Sequence, residues 1–215
     1  MTSQAGLAVF GATGGTGREV VRQALDAGMA VRVLARRPEA LGIEHPALTV
    51  VAGDVLDPRR AREVVAPGDA VVSVLGIGHS RAATTVYSAG TRNVLDAMRA
   101  AGARRIVCVS TCGLEVTRGS GLGQRLFTRH VLQRLLSRPY ADMRAMEGTV
   151  RASATDWTVV RAARLTNGPR KDRVRSGPSG TMRGMWSVSR ADLAAYLLSI
   201  LDQDDSYRQT LEVAY

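Results

Sequence analysis

Short continuous apolar runs alternate along this chain with longer stretches in which apolar residues recur every three or four positions. The first run, Leu7–Phe10, is closed by glycine and predicts a buried parallel strand. Over 15–27, Val20, Val21, Ala24 and Leu25 share one helical face, and Gly28 supplies the stop. Strands follow at Val31–Ala35, ended by Pro38 just beyond, and at Leu48–Ala52. Asp57 and Pro58 read as the cap and first turn of a helix through Ala66. Next come a strand over 69–75 and a helix over about 85–101, with Val86, Val94, Leu95 and Met98 on its buried side and Gly102 as terminator. A strand over 105–110 closes this half. Repeated strand–helix–strand units require right-handed crossovers. The pattern therefore predicts an α/β fold, a Rossmann-type doubly wound parallel sheet with helices on both faces.

The second half is less regular. Segments 122–136 and 142–154 read as helices, and 157–161 as a sixth strand. The stretch 166–184 is rich in Gly, Pro and Arg without a periodic pattern, and is expected to be a mobile or ligand-covering region. Ser189 caps a helix with Leu193, Tyr196, Leu197, Ile200 and Leu201 along one side, and 210–213 reads as a last, edge strand. With no internal repeat or low-complexity linker, a single domain over 1–215 is expected, its C-terminal elaboration at about 162–190 lying over the substrate pocket.

Composition narrows the partners. The 215 residues, 45% hydrophobic and 22% charged, suit one globular α/β domain. No apolar run approaches the ~18 residues of a membrane span. The first six residues lack the basic and apolar regions of a secretion signal, so a cytoplasmic location is expected. Cys108 and Cys112 would lie ~13 Å apart on an extended strand, beyond the ~7 Å disulfide limit, unless the strand ends at Ser110 and turns back. His45, His79 and His130 are scattered, and no metal site is expected. The net charge of +10 would suit nucleic acid or an anionic membrane, but aromatics are only 4% and offer no stacking platform. Neither partner is expected. The charge reads instead as a solvated basic surface and a pocket for a planar or anionic small molecule, in a monomer or homodimer.

The strongest local signal joins the first strand to the first helix: Gly11, Ala12, Thr13, Gly14, Gly15, Thr16 and Gly17. Backbone amides at a helix start can face a diphosphate where Cβ-free residues allow the turn. A glycine-rich turn for tight packing is the plainer reading, but a first strand–helix junction is where a dinucleotide loop belongs. The second strand ends in Arg36 and Arg37, where NAD-specific sites carry a carboxylate for the ribose. A guanidinium there can hold the 2′-phosphate of NADP, each charge-assisted bond contributing about 1.5–3 kcal/mol, whereas solvated arginines would contribute nothing. Asp54 and Val55 follow the third strand and suit an adenine ring, although Asp54 is also a turn former. Leu75 and Gly76 end the fourth strand, where small residues let a ribose and nicotinamide approach the backbone.

These pieces resemble the atypical short-chain dehydrogenase/reductase, NAD(P)H-binding (NmrA-like) group, and are similar to NADPH-dependent flavin reductase and biliverdin reductase B. The matching segments are GATGGTG at 11–17, VLARR at 33–37, GDV at 53–55, VLG at 74–76 and ATTVYSAGTRNVLDAM at 83–98. They continue with VSTCGL at 109–114, DWTVVRAARLTNGP at 156–169 and SVSRADLAAYLL at 187–198. The resemblance implies NADPH as cofactor and hydride transfer to a flat acceptor: a flavin (FMN or FAD as substrate), a quinone or a tetrapyrrole. Two other functions stay open, a non-catalytic NADP(H)-binding redox sensor and a reductase, dehydratase or isomerase of a specific metabolite.

The chain departs from the wider superfamily in its proton relay, a Tyr with a Lys four residues later. Lys171 is the sole lysine and no tyrosine precedes it at that spacing, while Tyr140 is followed by Arg144. Arginine, always charged, is a poor tuner of a tyrosine. Thr111, Ser110 and Tyr140 are the catalytic candidates. The resemblance places a hydroxyl near the nicotinamide after the fifth strand, with Thr111 the closer match, although both residues also suit a strand-end turn. Ser110 and Arg164 are further cofactor-pocket candidates. Arg164 follows the sixth strand and either binds an anionic group or faces solvent.

Overall fold

The computed structural model describes residues 6–78, 80, 82–114 and 136–215. Five strands and three helices alternate as expected through the first half: β1 (Leu7–Phe10), α1 (Gly15–Asp26), β2 (Val31–Ala35), β3 (Leu48–Ala52), α2 (Pro58–Val64), β4 (Ala70–Ser73), α3 (Ser88–Ala101) and β5 (Arg105–Thr111). The chain continues with α4 (Ser137–Arg151), β6 (Asp156–Ala162), β7 (Arg164–Thr166), β8 (Arg175–Pro178), β9 (Ser187–Ser189), α5 (Arg190–Ser199) and β10 (Gln209–Ala214). Eight of the strands form one sheet in the order β3-β2-β1-β4-β5-β6-β10-β8, parallel except for β8, which runs antiparallel to β10. The remaining pair, β7 and β9, is parallel and separate.

Strand alternation sends each face of the sheet to its own core. Val9, Val33, Val107 and Val213 pack with Val20, Val21 and Ala24 of α1 and Leu193 and Leu197 of α5. Phe10, Ile106, Cys108 and Val159 face the other way, toward Ala61 of α2, Val94 and Met98 of α3 and Val150 of α4. The sheet is thus covered on both sides, which is why its central strands read as unbroken apolar runs. Strand order reverses between β1 and β4, opening a crevice at their carboxyl ends where ligands bind in this architecture.

Several elements depart from expectation. β10 is an interior strand, paired with β6 on one side and β8 on the other. Its Glu212 is fully buried. The edge is β8, inside the stretch expected to be mobile or ligand-covering, and its Pro178 suits a strand whose outer N–H groups face no partner. α4 starts five residues before the expected 142, and of the expected helix over 122–136 only Leu136 lies within the described residues. β5 continues through Thr111, and both cysteines are free. His79 and His130 lie outside the described residues, among which no group of metal-ligating side chains forms. No helix among them is long and apolar enough to cross a membrane.

α3 is capped from outside itself. Asp142 of α4 accepts the Tyr87 amide at 2.9 Å and the Ser88 amide at 3.3 Å, and also takes the Ser88 hydroxyl. A buried carboxylate at a helix start satisfies orphan donors and opposes the helix dipole.

Candidate functional site

The β1–α1 turn is shaped by absent side chains. Gly11 has φ +89°, and a Cβ there would lie 2.4 Å from the Val74 carbonyl oxygen of the neighbouring strand end. A Cβ at Gly17 would fall 2.2 Å from the Gly11 carbonyl oxygen. Gly14 is the N-cap and donates back to Gly11 O at 3.1 Å. It offers no capping side chain, and the first turn of α1 holds no acid. Arg18 is the first residue whose amide finds an acceptor in the helix, Gly14 O at 2.9 Å. Gly15, Thr16 and Gly17 therefore present amides without an intrahelical partner to the cavity they line.

That cavity, of about 1030 Å³, follows the crevice along the carboxyl ends of the central strands. It stands at the upper end of the roughly 300–1,000 Å³ typical of small-molecule sites. Its lining includes Gly11, Thr13, Gly14, Gly15, Thr16, Gly17, Arg36, Arg37, Asp54, Val55, Leu75, Gly76, Ser110, Thr111 and Arg164. Of the residues expected at a cofactor, only Ala12 is not at its wall. Its methyl is buried in the core beneath the turn.

At one end, Arg36 and Arg37 flank Asp54 and Val55. Asp54 Oδ1 accepts the Leu56 amide at 3.0 Å, so the turn-forming reading of Asp54 holds for that oxygen. Oδ2 stands 4.0 Å from Arg36 Nη1, and with side chains 71% and 42% exposed this ion pair contributes little. Val55 is drawn inward because Gly90 of α3 leaves room. A Cβ there would lie 2.9 Å from Val55 Cγ1, while Asn93 Nδ2 holds the Val55 carbonyl at 2.9 Å.

At the other end stand the hydroxyls of β5. Ser110 Oγ donates to Glu147 Oε1 at 2.7 Å. Glu147, only 1% exposed, is gripped by the Arg161 fork at 3.0 and 2.7 Å and by Arg151 at 2.7 Å. Burial pushes the Glu147 carboxyl up, but the hydrogen bonds from Arg161 and Ser110 and the guanidinium charges outweigh it and hold the carboxyl below its usual range. Glu147 is therefore an anion and Ser110 its donor, which leaves the Ser110 lone pairs to face the cavity.

Thr111 Oγ1 accepts the Gly113 amide at 3.2 Å and also hydrogen-bonds to the Tyr140 phenol. Tyr140 itself does not line the cavity; it lies behind Thr111 with its hydroxyl against Gly113, where a Cβ would be 2.4 Å away. Burial raises its pKa more than the Thr111 bond and the Arg144 charge lower it. Arg144 Nη2 reaches the Leu114 carbonyl at 3.0 Å. The structure thus brings Tyr140 to Thr111 but not to the cavity surface.

Among the lining residues that the sequence pattern did not single out are Tyr87, Met143 and Arg190. Tyr87 is 7% exposed, and burial pushes its phenol up despite a hydrogen bond from the Ile77 backbone. Its signal was its place just ahead of α3, where no periodicity singles it out. Arg190 was hidden by its neighbour Ser189, whose role as a cap absorbed the local pattern.

These features fit a dinucleotide: a cradle that any Cβ would fill, unpaired amides at an uncapped helix start, and cations with no carboxylate at the end of β2. The comparisons agree. The profile of the NAD(P)H-binding family matches residues 11–204. An uncharacterized chloroplastic protein of Arabidopsis thaliana is 29% identical over 213 residues, covering 95% of this chain and 75% of that protein. A short-chain dehydrogenase/reductase of Veillonella parvula, solved in complex with NADP, superposes with TM-score 0.80 at 20% identity, covering 98% of this chain and 94% of that one. An anaerobillin reductase of Escherichia coli O157:H7 superposes with TM-score 0.78 at 20% identity, covering 98% and 97%. At such identities the structural likeness speaks for the fold, a Rossmann-like α/β sheet. The profile match starts at the first glycine of the cradle and runs through β6 and α5, so the chain belongs to the NAD(P)H-binding family.

Proposed function

We propose that this protein is an NADPH-dependent oxidoreductase acting on a flat acceptor such as a flavin, a quinone or a tetrapyrrole. The observation that carries the reading is the contrast between the two ends of the cavity. One end holds a preformed diphosphate cradle with Arg36 and Arg37 beside it, and the other lacks a Tyr/Lys proton relay. Bound there, NADPH supplies a hydride. The chain's own part is to bind and to orient the two reactants.

Gly15, Thr16 and Gly17 offer amides to the diphosphate, and Arg36 and Arg37 offer guanidinium groups to the 2′-phosphate. Ser110 presents lone pairs, held in that sense by Glu147, and so accepts a hydrogen bond from the nicotinamide end. Ala162, Ala163, Leu165 and Met143 form an apolar wall against which a flat ring can lie, with exposed Arg164 at its rim for an anionic substituent. An acceptor that draws its proton from solvent needs no buried acid, which matches the recessed position of Tyr140. That the fold is shared with an anaerobillin reductase supports including that class of acceptor.

Purified protein mixed with NADPH and FMN should consume NADPH, and substitution of NADH should slow the reaction. Tight NADPH binding with no turnover of any flavin, quinone or bilin would refute the flat-acceptor reading and leave the redox sensor or an enzyme of a specific metabolite.

A further inference from the structure

The cavity wall holds a cation, Arg190, that no local pattern singles out. Arg190 is the first residue of α5, directly after the N-cap Ser189. α5 packs beside α1, and the Arg190 side chain reaches the first turn of α1. A Cβ at Gly15 would fall 2.6 Å from Arg190 Cδ and 2.8 Å from its Nε. No left-handed φ requires glycine at 15, so what a larger residue would lose there is room, not backbone freedom. The Arg190 stem fills the volume a side chain at 15 would occupy, lying over the first turn of α1.

The guanidinium is held but not neutralised. Nη1 donates to Asn167 Oδ1 at 2.5 Å, and among the described residues no carboxylate comes within ion-pairing distance of it. The nearby carboxylate of Asp192 is saturated by other donors. It takes the Lys171 amide at 3.0 Å, the Asp172 amide at 2.9 Å, the Ser189 hydroxyl at 2.7 Å and the Tyr215 hydroxyl at 2.5 Å. Those bonds tie the segment after Asn167 to the start of α5, which keeps Asn167 and Arg190 together. A half-buried cation fixed by a neutral amide therefore stands against the turn that presents the unpaired amides of Gly15, Thr16 and Gly17.

We propose that Arg190 is the counter-ion of the cofactor's diphosphate, meeting it beside the α1 amides. This rests on the dinucleotide reading of the cavity and adds a second point of charge recognition, separate from Arg36 and Arg37. The two points divide the cofactor between them. Arg190 meets what NADPH, NADH and ADP have in common, whereas the β2 arginines meet only the 2′-phosphate.

Calorimetric titration of the full chain with NADPH, NADH, ADP and 2′-AMP separates these roles. Arg190→Gln should weaken NADPH, NADH and ADP by about ten- to hundredfold, the worth of one charge-assisted bond, and leave 2′-AMP unchanged. Arg190→Lys, which keeps the charge, should recover part of the loss. An unchanged melting temperature in both variants shows that folding is intact. If ADP binding is untouched by Arg190→Gln, Arg190 serves the acceptor or the surface and the proposal fails. Equal losses on 2′-AMP, or equal losses for Lys and Gln, would also sink it. Wild-type protein that binds none of the four nucleotides would instead overturn the dinucleotide reading itself.

Discussion

Replacing Glu147 by Gln tests whether the wall behind Ser110 is built on charge. The carboxylate lies 1% exposed and takes two bonds from Arg161, itself 3% exposed, together with one each from Ser110 and Arg151. Removing one charge of such a buried fork costs about 3–5 kcal/mol, because the remaining guanidinium loses the anion that offset its desolvation. The Arg151 contact adds little, since that side chain is 39% exposed. For a domain of this size each kcal/mol moves the melting temperature by roughly 2–4 °C, so the variant should melt about 6–20 °C lower at neutral pH.

The pH dependence gives the sharper assay. Burial raises the Glu147 carboxyl, and the Arg161 and Ser110 bonds and nearby charges lower it further than burial raises it, so its folded-state pKa is depressed. Its stabilising contribution is then complete above the unfolded carboxyl value, ~4.3, and is lost as the pH falls through the lower folded value. Thermal melts of wild type and Glu147→Gln should converge on acidification below about pH 4, because only the wild type loses this anion. A gap that stays constant into strong acid, or no gap at neutral pH, would show that the fork is not held by charge.

Other substitutions probe the cavity and its supports. Arg36→Ala with Arg37→Ala should weaken NADPH binding at least about tenfold while leaving NADH nearly unchanged; equal losses for both cofactors would mean those arginines do not meet the 2′-phosphate. Tyr140→Phe should leave kcat for a flavin acceptor within about threefold, since the phenol sits behind Thr111, and a drop of about a hundredfold or more would restore Tyr140 as a proton donor. Arg105→Ala should lower stability by about 3 kcal/mol or more in urea unfolding, because this buried guanidinium bonds the Ile200, Leu201 and Asp156 carbonyls and the Thr158 and Ser206 hydroxyls. A change below about 1 kcal/mol would show that water replaces those bonds.

Local signals carried most of the first half of the fold. Continuous apolar runs and glycine stops placed β1 through β5 within a residue or two, because such patterns depend on neighbours in the chain. The turn at 11–17 was legible for the same reason. Lateral order was not. β10 lies between β6 and β8 through pairings with residues 51 and about 35 positions away, which its own sequence does not display. The role of Ser110 was hidden likewise, since its partner Glu147 lies 37 residues on. Tyr140 was singled out by spacing to Arg144, a relation along one helix that says nothing about which neighbour stands between it and the cavity. Arg190 needed α5 packed against α1 so that its side chain reaches the turn at Gly15, which no window of sequence displays.

The Asp142 carboxylate has a mechanical consequence. It belongs to α4 yet fastens the first amides of α3, where Tyr87 meets the loop at Ile77. Met143, its neighbour in sequence, faces the same hollow. Both flanks of the hollow on that side are thus yoked at one point, and a tilt of either helix must carry the other along. A ring sliding in past Met143 would push against a single jaw, and Asp142→Asn, by loosening the yoke, should blur the fit without touching any atom that the ring meets.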